Sequence, residues 1–434
     1  MRPALIACCR GNADVMAALR WARERDLEVA VRCVGNNYNG FSTSDGGVVI
    51  DLSLMRGVRV DPATATARIG GGTPTGDLLR EGALFELAPS IGVMGATGVG
   101  LIMGGGFGHL RNQAGWGADN ILAADLVTAD GRVVRVSGQE NPDLLWALRG
   151  AGANFGVATS LDIQLHSMPR AIVTGGMIWG EERLEEGMRA MSDFAAQASE
   201  SFSMAAWLKL ADDPDVGGFM QAEAPPPRLR NRPCVELTYC HWGTPDQATA
   251  EVEKLRGASR PDYESVGTTN FRDFHYRWEA VPKRMTWDAV SVSKLNEEAI
   301  SLMANVVRSM TTPGAFRCIE LFDQRGATSR EPSLPSAQPR AIASAWSVRP
   351  GASSATPDLD EANDNWVLGV MGAVLATSVG IPDACALNST SWLPTEERVR
   401  THYGAGMERL LQLKRAWDPD NVFCKNQNIN PTWA

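Results

Sequence analysis

The chain has 434 residues, of which 44% are hydrophobic and 21% charged, and its formal net charge is −9. This composition is typical of a folded protein with two or three domains, and it excludes collagen-like and intrinsically disordered chains. The negative charge argues against nucleic acid or an anionic membrane as the main partner. No apolar run approaches the roughly 18 residues of a membrane span, and no signal-peptide pattern opens the chain. We therefore expect a soluble cytoplasmic protein.

The eight cysteines show no C-x-x-C pair and no framework spacing. In a chain of this length such usage indicates reduced thiols, and we expect no metal site.

Short apolar strands alternate with glycine-rich turns along the first third of the chain. We expect a helix capped by Asn12, and Asp130-Gly131 as a hairpin turn between two strands. The predicted strands cover residues 29–31, 47–52, 58–60, 67–69, 125–128 and 133–136. This order predicts a mixed α+β fold rather than a regular β-α-β alternation.

From about Met168 the sequence pattern changes, and longer predicted helices alternate with longer predicted strands. Predicted helices cover 181–200, 246–257 and 296–310, and predicted strands cover 171–179, 203–210 and 234–242. The tail from Thr395 has a helical apolar stripe. We expect two domains, at 1–167 and 168–385, and a C-terminal segment, 386–434, that returns to the first domain.

The stretch Gly92–Gly108, GVMGATGVGLIMGGGFG, is dense in glycine. Such a backbone can approach a flat or anionic ligand closely and hold it by main-chain N–H groups. It lacks the spacing of a Rossmann fingerprint, and the chain has no phosphate-loop G-x-x-x-x-G-K-[ST] motif. The alternative interpretation is a tight surface loop with several turns.

Motifs in this order resemble the FAD-binding domain of the vanillyl-alcohol-oxidase (PCMH) type, and together they resemble its berberine-bridge-enzyme-like branch. Besides the glycine-rich stretch they are VRCVGNNYNGFST (31–43), VVIDLSLMRGVRVDP (48–62), ARIGGGTPTGDL (67–78), GADNILAADLVTADGRVV (117–134), ENPDLLWALRGAGANFGVATS (140–160) and WDPDNVFCKNQNI (417–429). The resemblance implies an α+β, two-domain, PCMH-type FAD-binding fold. Its substrate domain would be an antiparallel sheet of seven or so strands, flanked by helices and laid over the isoalloxazine.

The resemblance also implies cofactor contacts, residue by residue. At the pyrophosphate these are Arg32, Cys33, Val34, Gly35, Asn36, Asn37, Tyr38 and Ser42. On the flavin side they are Pro89, Ser90, Met94, Thr97, Gly98, Gly100, Leu101, Gly104, Gly105, Gly106, Gly108 and His109. Asn154, Gly156 and Val157 would lie at the adenine and ribose end, and Asn426 and Asn428 near the ring.

Two departures from the family pattern concern attachment of the flavin. Asn36 occupies the place of the linking histidine in V-R-x-G-G-H, and Met94 (or Val93) occupies the place of a second linking cysteine. We therefore expect non-covalent FAD and, because covalent attachment raises flavin potential in this family, a weaker oxidant.

A third departure concerns the catalytic base. The family often has a tyrosine in Y-x-N late in the chain, but this sequence has Ala386-Leu387-Asn388 there. Asparagine does not titrate, so another group must take the proton or the proton step differs. Tyr239 and His241, on one face of the strand 234–242, are candidates, and a structural role for both is the alternative.

Other side chains are candidates for the substrate site. His109 follows the glycine-rich stretch directly, and its alternative is a packing role. Tyr276, Trp278 and Glu279 could line a pocket for an aromatic substrate.

The leading hypothesis is an FAD-dependent oxidoreductase that removes a hydride and a proton from a small hydrophobic substrate of specialised metabolism. Molecular oxygen is a candidate acceptor, because Thr97 is small at a position beside the expected flavin. The alternatives are a non-redox cyclase or lyase that retains FAD as a scaffold, and a flavin-free binding protein.

Overall fold

The structure is a computed structural model that describes residues 1–211, 225–276, 284–310, 314–340, 345–381 and 390–434. Trp278, Glu279 and Asn388 lie outside the described residues, as does the side chain of Tyr276. Within the described ranges, no helix combines the length and the apolar character that crossing a membrane requires.

The strands are β1 (Leu5–Cys8), β2 (Val29–Arg32), β3 (Val48–Asp51), β4 (Val58–Asp61), β5 (Thr66–Gly70), β6 (Leu87–Pro89), β7 (Ile121–Val127), β8 (Val133–Ser137), β9 (Val157–Ser167), β10 (Ile172–Gly180), β11 (Phe202–Leu210), β12 (Pro233–His241), β13 (Tyr263–Thr269), β14 (Arg284–Trp287), β15 (Val290–Val292), β16 (Ala315–Gln324), β17 (Ala345–Ser354) and β18 (Gly380–Ile381). The α-helices are α1 (Asn12–Arg23), α2 (Thr75–Ala83), α3 (Val99–Met103), α4 (Arg111–Ala114), α5 (Pro142–Ala151), α6 (Leu184–Ala195), α7 (Pro245–Ala258), α8 (Phe271–Tyr276), α9 (Glu297–Arg308), α10 (Asp360–Leu375), α11 (Glu396–Tyr403) and α12 (Met407–Trp417).

The first part of the chain builds two sheets. A three-stranded parallel sheet has the order β1-β3-β2, and a six-stranded antiparallel sheet has the order β4-β5-β9-β7-β8 with β6 beside β9. Asp130-Gly131 lies in the turn between the paired strands β7 and β8, where Gly131 adopts φ +83°. Helix α1 begins at Asn12, but its N-cap is Gly11 and no side chain caps it, so the capping role expected of Asn12 is wrong.

The described residues of the second part build one antiparallel sheet of nine strands, where seven or so were expected. Its order is β13-β10-β12-β11-β16-β17-β15-β18 with β14 beside β17. Side chains alternate along its strands. On β16, Ile319 and Leu321 pack with the helices α6 and α9, whereas Cys318 and Phe322 face the other way. That other face covers the glycine-rich stretch. The α+β class and the antiparallel sheet flanked by helices are therefore confirmed.

The C-terminal segment packs on the first part of the chain. Tyr403, Met407, Leu410 and Leu411, the expected apolar stripe, join one buried core with residues of β5, β9 and α5. The stripe is divided between α11 and α12, because the first helix ends at Gly404. The boundaries 167/168 and 385/386 themselves stay predictions.

Candidate active site

A cavity of about 680 Å³ lies between the glycine-rich stretch and the face of the nine-stranded sheet. Its floor comes from four separate segments: the loop after β2 and residues 92–107, 150–158 and 423–427. Its roof comes from β11, β14, β16 and β17. The cavity thus joins the two halves of the chain, as a site for a cofactor below and a substrate above requires.

Most of the residues expected at the cofactor do line this cavity. They are Cys33, Val34, Gly35, Asn36, Asn37, Tyr38, Ser42, Met94, Thr97, Gly98, Gly100, Leu101, Gly104, Gly106, Asn154, Gly156 and Asn426. The remaining expected residues do not line it; they are Arg32, Pro89, Ser90, Gly105, Gly108, His109, Val157 and Asn428. Several of these support the floor: Ser90, for instance, donates to the carbonyl of Gly115 at 2.7 Å.

The glycine-rich stretch folds back closely on itself. A Cβ atom at position 108 would lie 1.5 Å from the carbonyl oxygen of Ile91, so only glycine fits there. The hydroxyl of Thr97 donates to the carbonyl of Met94 at 2.8 Å and closes the preceding turn. The short helix α3 follows immediately. The expected close-approach backbone is therefore present, and the surface-loop alternative does not describe it.

The loop after β2 is held by its own asparagines. The side-chain oxygen of Asn37 accepts hydrogen bonds from the backbone N–H groups of Asn39 at 2.9 Å and Phe41 at 3.2 Å. The amide of Asn36 donates to the carbonyl of Ala96 at 3.0 Å, which ties this loop to the glycine-rich stretch. Short polar side chains that bond their own backbone are typical of such turns.

A fully buried ion pair fastens the C-terminal segment to the floor. The ammonium of Lys414 donates to Asp418 at 2.7 Å, to the carbonyl of Asn154 at 2.9 Å and to the carbonyl of Phe423 at 3.1 Å. Asn426 donates to the carbonyls of Ala153 and Phe423, both at 2.9 Å. All three donors of the ammonium are therefore used, and they place residues 423–426 against the cavity.

The floor leaves hydrogen-bonding capacity for a ligand. The side-chain oxygen of Asn426, which lines the cavity, is buried and has no hydrogen-bond partner among the described residues. Buried polar atoms normally have one. Together with the close-packed glycine backbone, this oxygen fits the expected FAD, whose polar edge could donate to it.

The roof carries a row of larger side chains. The indole N–H of Trp207 donates to Glu320 at 3.2 Å, and a guanidinium nitrogen of Arg349 lies 3.7 Å from the other oxygen of that carboxylate. Burial raises the pKa of Glu320, opposed by Arg349 and by the Trp207 hydrogen bond. Glu320 is the only carboxylate among the described lining residues.

Tyr38 meets this roof from the floor side. The Tyr38 side chain lines the cavity, and 42% of its surface is accessible. Desolvation raises the pKa of its phenol, Arg349 lowers it and Glu320 raises it further. A neutral tyrosine therefore faces the Glu320–Arg349 pair across the cavity.

Arg111 is a buried arginine that contacts both the floor and the roof of the cavity. Arg111, three residues after Gly108, forms an ion pair with Asp323 of β16 and donates to Ser203 of β11 at 3.1 Å. Its guanidinium lies 4.9 Å from the ring of Phe107 and 5.5 Å from that of Phe322, and both rings line the cavity. Because breaking a buried pair leaves an uncompensated charge, we expect this contact to hold β16 against the end of the glycine-rich stretch.

The structure separates the expected base candidates from the cavity. Tyr239 packs with Phe202, at 5.2 Å between ring centroids, in the core under the helices, and His241 accepts a hydrogen bond from the N–H of Gly243 at 2.9 Å. Cys240 of β12 and Trp242, which directly follows the strand, point to the cavity side of the sheet. The expectation that Tyr239 or His241 faces the flavin is thus corrected, because strand alternation turns both away.

His109 packs behind the floor rather than on it. Its ring lies 5.9 Å from that of His275 and 4.9 Å from that of Phe274. Burial lowers the pKa of His275 to about 4 and lowers that of His109 well below its usual range. Both imidazoles are therefore neutral at pH 7, as the packing alternative predicts.

Four roof residues were not predicted from the sequence: Trp207, Glu320, Arg349 and Trp287. One signal existed: Glu320 is a lone charge within the apolar strand Cys318–Phe322. Charged residues in such strands are seldom buried without a partner. Nothing in the sequence indicated that the partner would come from Arg349.

Comparisons with known proteins agree with this architecture. An FAD binding domain family matches residues 3–137, and a berberine and berberine-like family matches residues 356–430. The (R)-6-hydroxynicotine oxidase of Paenarthrobacter nicotinovorans is 32% identical over 99% of this chain and 92% of its own length. The glucooligosaccharide oxidase of Sarocladium strictum is 33% identical over 44% of this chain and 40% of its own length.

Solved structures are similar over the whole chain. The crystal structure of 6-hydroxy-D-nicotine oxidase from Arthrobacter nicotinovorans superposes with a TM-score of 0.88 at 30% identity, covering 99% of this chain and 93% of the other. A chitooligosaccharide oxidase superposes with a TM-score of 0.85 at 20% identity, covering 100% and 92%, and this likeness concerns the fold alone.

Proposed function

Since this chain belongs to the FAD-linked oxidases of the vanillyl-alcohol-oxidase (PCMH) type, in the berberine-like branch, we propose that it holds FAD non-covalently and oxidises a small hydrophobic substrate. The observation that carries the proposal is the cavity of about 680 Å³ between a glycine floor and an aromatic roof. When bound, the isoalloxazine supplies a two-electron acceptor for a hydride from the substrate.

The lining residues support non-covalent binding. Asn36, at the place of the family's linking histidine, already donates its amide to Ala96. Cys33 and Cys318 are the thiols among the described lining residues. Burial raises the pKa of Cys33 to about 11, and its thiol donates to the carbonyl of Thr73 at 3.7 Å. Covalent attachment through sulfur needs a thiolate, which this environment disfavours.

The roof supports a small hydrophobic substrate. Its large side chains are Trp207, Met285, Trp287, Phe316 and Phe322. A sugar would need a hydrogen-bond partner for each hydroxyl, and the roof offers few. The full-length relative named for 6-hydroxynicotine also points to a small heteroaromatic molecule rather than an oligosaccharide. We place the substrate in specialised metabolism, and keep molecular oxygen as the proposed acceptor because the small Thr97 lines the cavity.

Glu320 is our candidate for the base that accepts the substrate proton released together with the hydride. A useful base titrates near the working pH, and burial moves the pKa of this carboxyl upward from its ordinary value. It replaces Tyr239 and His241 in this role, while Asn388 lies outside the described residues. Arg111 and Asp323 act only as positioning residues, since they hold the roof over the floor.

The test is the absorbance of the purified protein before and after acid precipitation. We expect a yellow protein whose FAD moves wholly to the supernatant. Colour retained in the pellet would refute non-covalent binding, and a colourless protein that ignores added FAD would refute the oxidoreductase. Asn36→His is the matched variant, because it restores the family's linking residue and should leave some colour in the pellet.

Oxidation itself is tested by anaerobic mixing with a panel of small heteroaromatic amines. Bleaching of the flavin is expected from the substrate class we propose. A product formed while the flavin stays oxidised would favour the scaffold alternative, in which FAD has no redox role.

A further inference from the structure

The roof presents one ordered row of polar groups to the cavity. Trp207 on β11 lies directly opposite Glu320 on β16, and Glu320 lies directly opposite Arg349 on β17. Directly opposite residues of neighbouring strands project to the same face of a sheet. All three side chains line the cavity.

Glu320 has acceptor capacity that the protein does not use. A carboxylate offers about four lone-pair sites. One oxygen accepts the Trp207 N–H at 3.2 Å, and the other lies 3.7 Å from Arg349, which is too long for a hydrogen bond. The residue is 9% exposed, so bulk water satisfies little of this capacity. A donor from a ligand would complete it.

Trp287, in contrast, has a hydrogen-bond donor that lacks an acceptor among the described residues. It lines the same cavity, is 8% exposed, and its indole N–H has no hydrogen-bond partner among the described residues. The indole lies flat on Gly351 of β17: a Cβ atom at position 351 would come within 2.2 Å of the ring. Gly351 is therefore the residue that allows this position of the ring.

Glu320 and Trp287 lie on the two strands that flank β17, one on each side. Arg349, which faces Glu320, and Gly351, which carries the Trp287 ring, are two residues apart on β17. Two residues of a strand span about 7 Å and return to the same face. Neighbouring strands lie about 4.8 Å apart, so this offset and two strand spacings separate the Cα atoms of Glu320 and Trp287 by about 12 Å. One substituted aromatic ring with a hydrogen bond of about 2.9 Å at each end spans a similar distance.

We propose that this roof selects planar, one-ring substrates with an N–H or O–H donor at one end, accepted by Glu320, and an acceptor at the other, bound by the indole N–H of Trp287. The inference rests on the proposed function and names the substrate class of that site. The flanking rings of Phe316 and Phe322 supply the apolar walls that a flat molecule requires.

The experiment uses three probes on the FAD-loaded protein. 4-Aminoacetophenone carries both groups, acetophenone only the acceptor, and aniline only the donor. Binding is measured from the perturbation of the flavin spectrum and by calorimetry. We expect each single-function probe to bind at least about tenfold more weakly than 4-aminoacetophenone, since each leaves one buried group without a partner.

Two variants assign the preference to its residues. Glu320→Gln should reduce the discrimination against acetophenone, and Trp287→Phe should abolish the discrimination against aniline. Gly351→Ala should behave like Trp287→Phe, because it displaces the ring, and it serves if that variant does not fold. Glu264→Gln is the matched control: its carboxylate lies on β13 of the same sheet, bonded to Arg256 outside the cavity.

The outcomes separate the two proposals. Equal binding of the three probes, or no binding of any, overturns the inference, as does unchanged discrimination in folded Glu320→Gln and Trp287→Phe. If the protein binds no FAD, the proposed function fails. Calorimetry with the same probes on the FAD-free protein then still confirms or overturns the two-point selection.

Discussion

Lys414→Met tests whether the buried ion pair of the C-terminal segment holds the floor of the cavity. Lys414 and Asp418 are both 0% exposed, and the ammonium makes three hydrogen bonds. Methionine keeps most of the side-chain volume but leaves the Asp418 charge and two backbone carbonyls without their donor. Breaking one side of a buried pair typically costs about 3–5 kcal/mol. We expect a loss of about 4 kcal/mol in the free energy of unfolding.

The measurement is equilibrium urea unfolding, followed by tryptophan fluorescence and by release of FAD. FAD should be released at lower urea in Lys414→Met, because Asn154 and Phe423, whose carbonyls the ammonium bonds, both border the cavity. Asp420→Asn is the control, since its ion pair with Arg23 is exposed at 68% and 42% and should contribute at most about 1 kcal/mol. A Lys414→Met loss no larger than that of Asp420→Asn would refute the reasoning.

Three further predictions follow from the same geometry. Gly108→Ala should lower the melting temperature strongly, because its Cβ would lie 1.5 Å from the carbonyl oxygen of Ile91. Gly100→Ala is the control and should leave the melting temperature unchanged, because its Cβ would have no atom within 4 Å. Equal melting temperatures of the two variants would contradict this prediction. The pKa of His275 is about 4 in the folded protein and about 6.5 in the unfolded chain. Between these two pH values the unfolded chain binds a proton that the folded protein does not. The free energy of unfolding should therefore fall by about 3 kcal/mol as the pH drops from 6.5 to 4. His275→Phe should flatten that slope in urea unfolding at several pH values, and an unchanged slope would count against a buried neutral imidazole. Iodoacetamide at pH 8 should modify the exposed Cys8 but not Cys33, whose pKa is about 11, as peptide mass mapping would reveal.

The floor of the site was predictable because its determinants are local in sequence. Glycines crowd into the stretch 92–108 where backbone meets backbone, as at Gly108 and Ile91. The asparagines of the loop after β2 bond residues only two to four positions away. Contacts between residues so close in the chain can be predicted from a single sequence.

The roof was not predictable because its determinants are registers between distant strands. Trp207 and Glu320 are 113 residues apart, and only the pairing of β11 with β16 brings them together. The alternation of β12 was predicted, but a period of two residues does not tell which face meets the cavity. For that reason Tyr239 and His241 were candidates until the sheet order placed them under the helices.

The distribution of the floor along the chain has a consequence for biosynthesis. Cys33 and Gln427 border the same cavity, although the ribosome adds them nearly four hundred residues apart. A nascent chain that has released its first domain still lacks Phe423, Asn426 and the Lys414 anchor. Flavin capture must therefore wait until translation has passed Gln427, and a chain that stalls earlier would expose an apolar, glycine-lined cleft to chaperones and proteases.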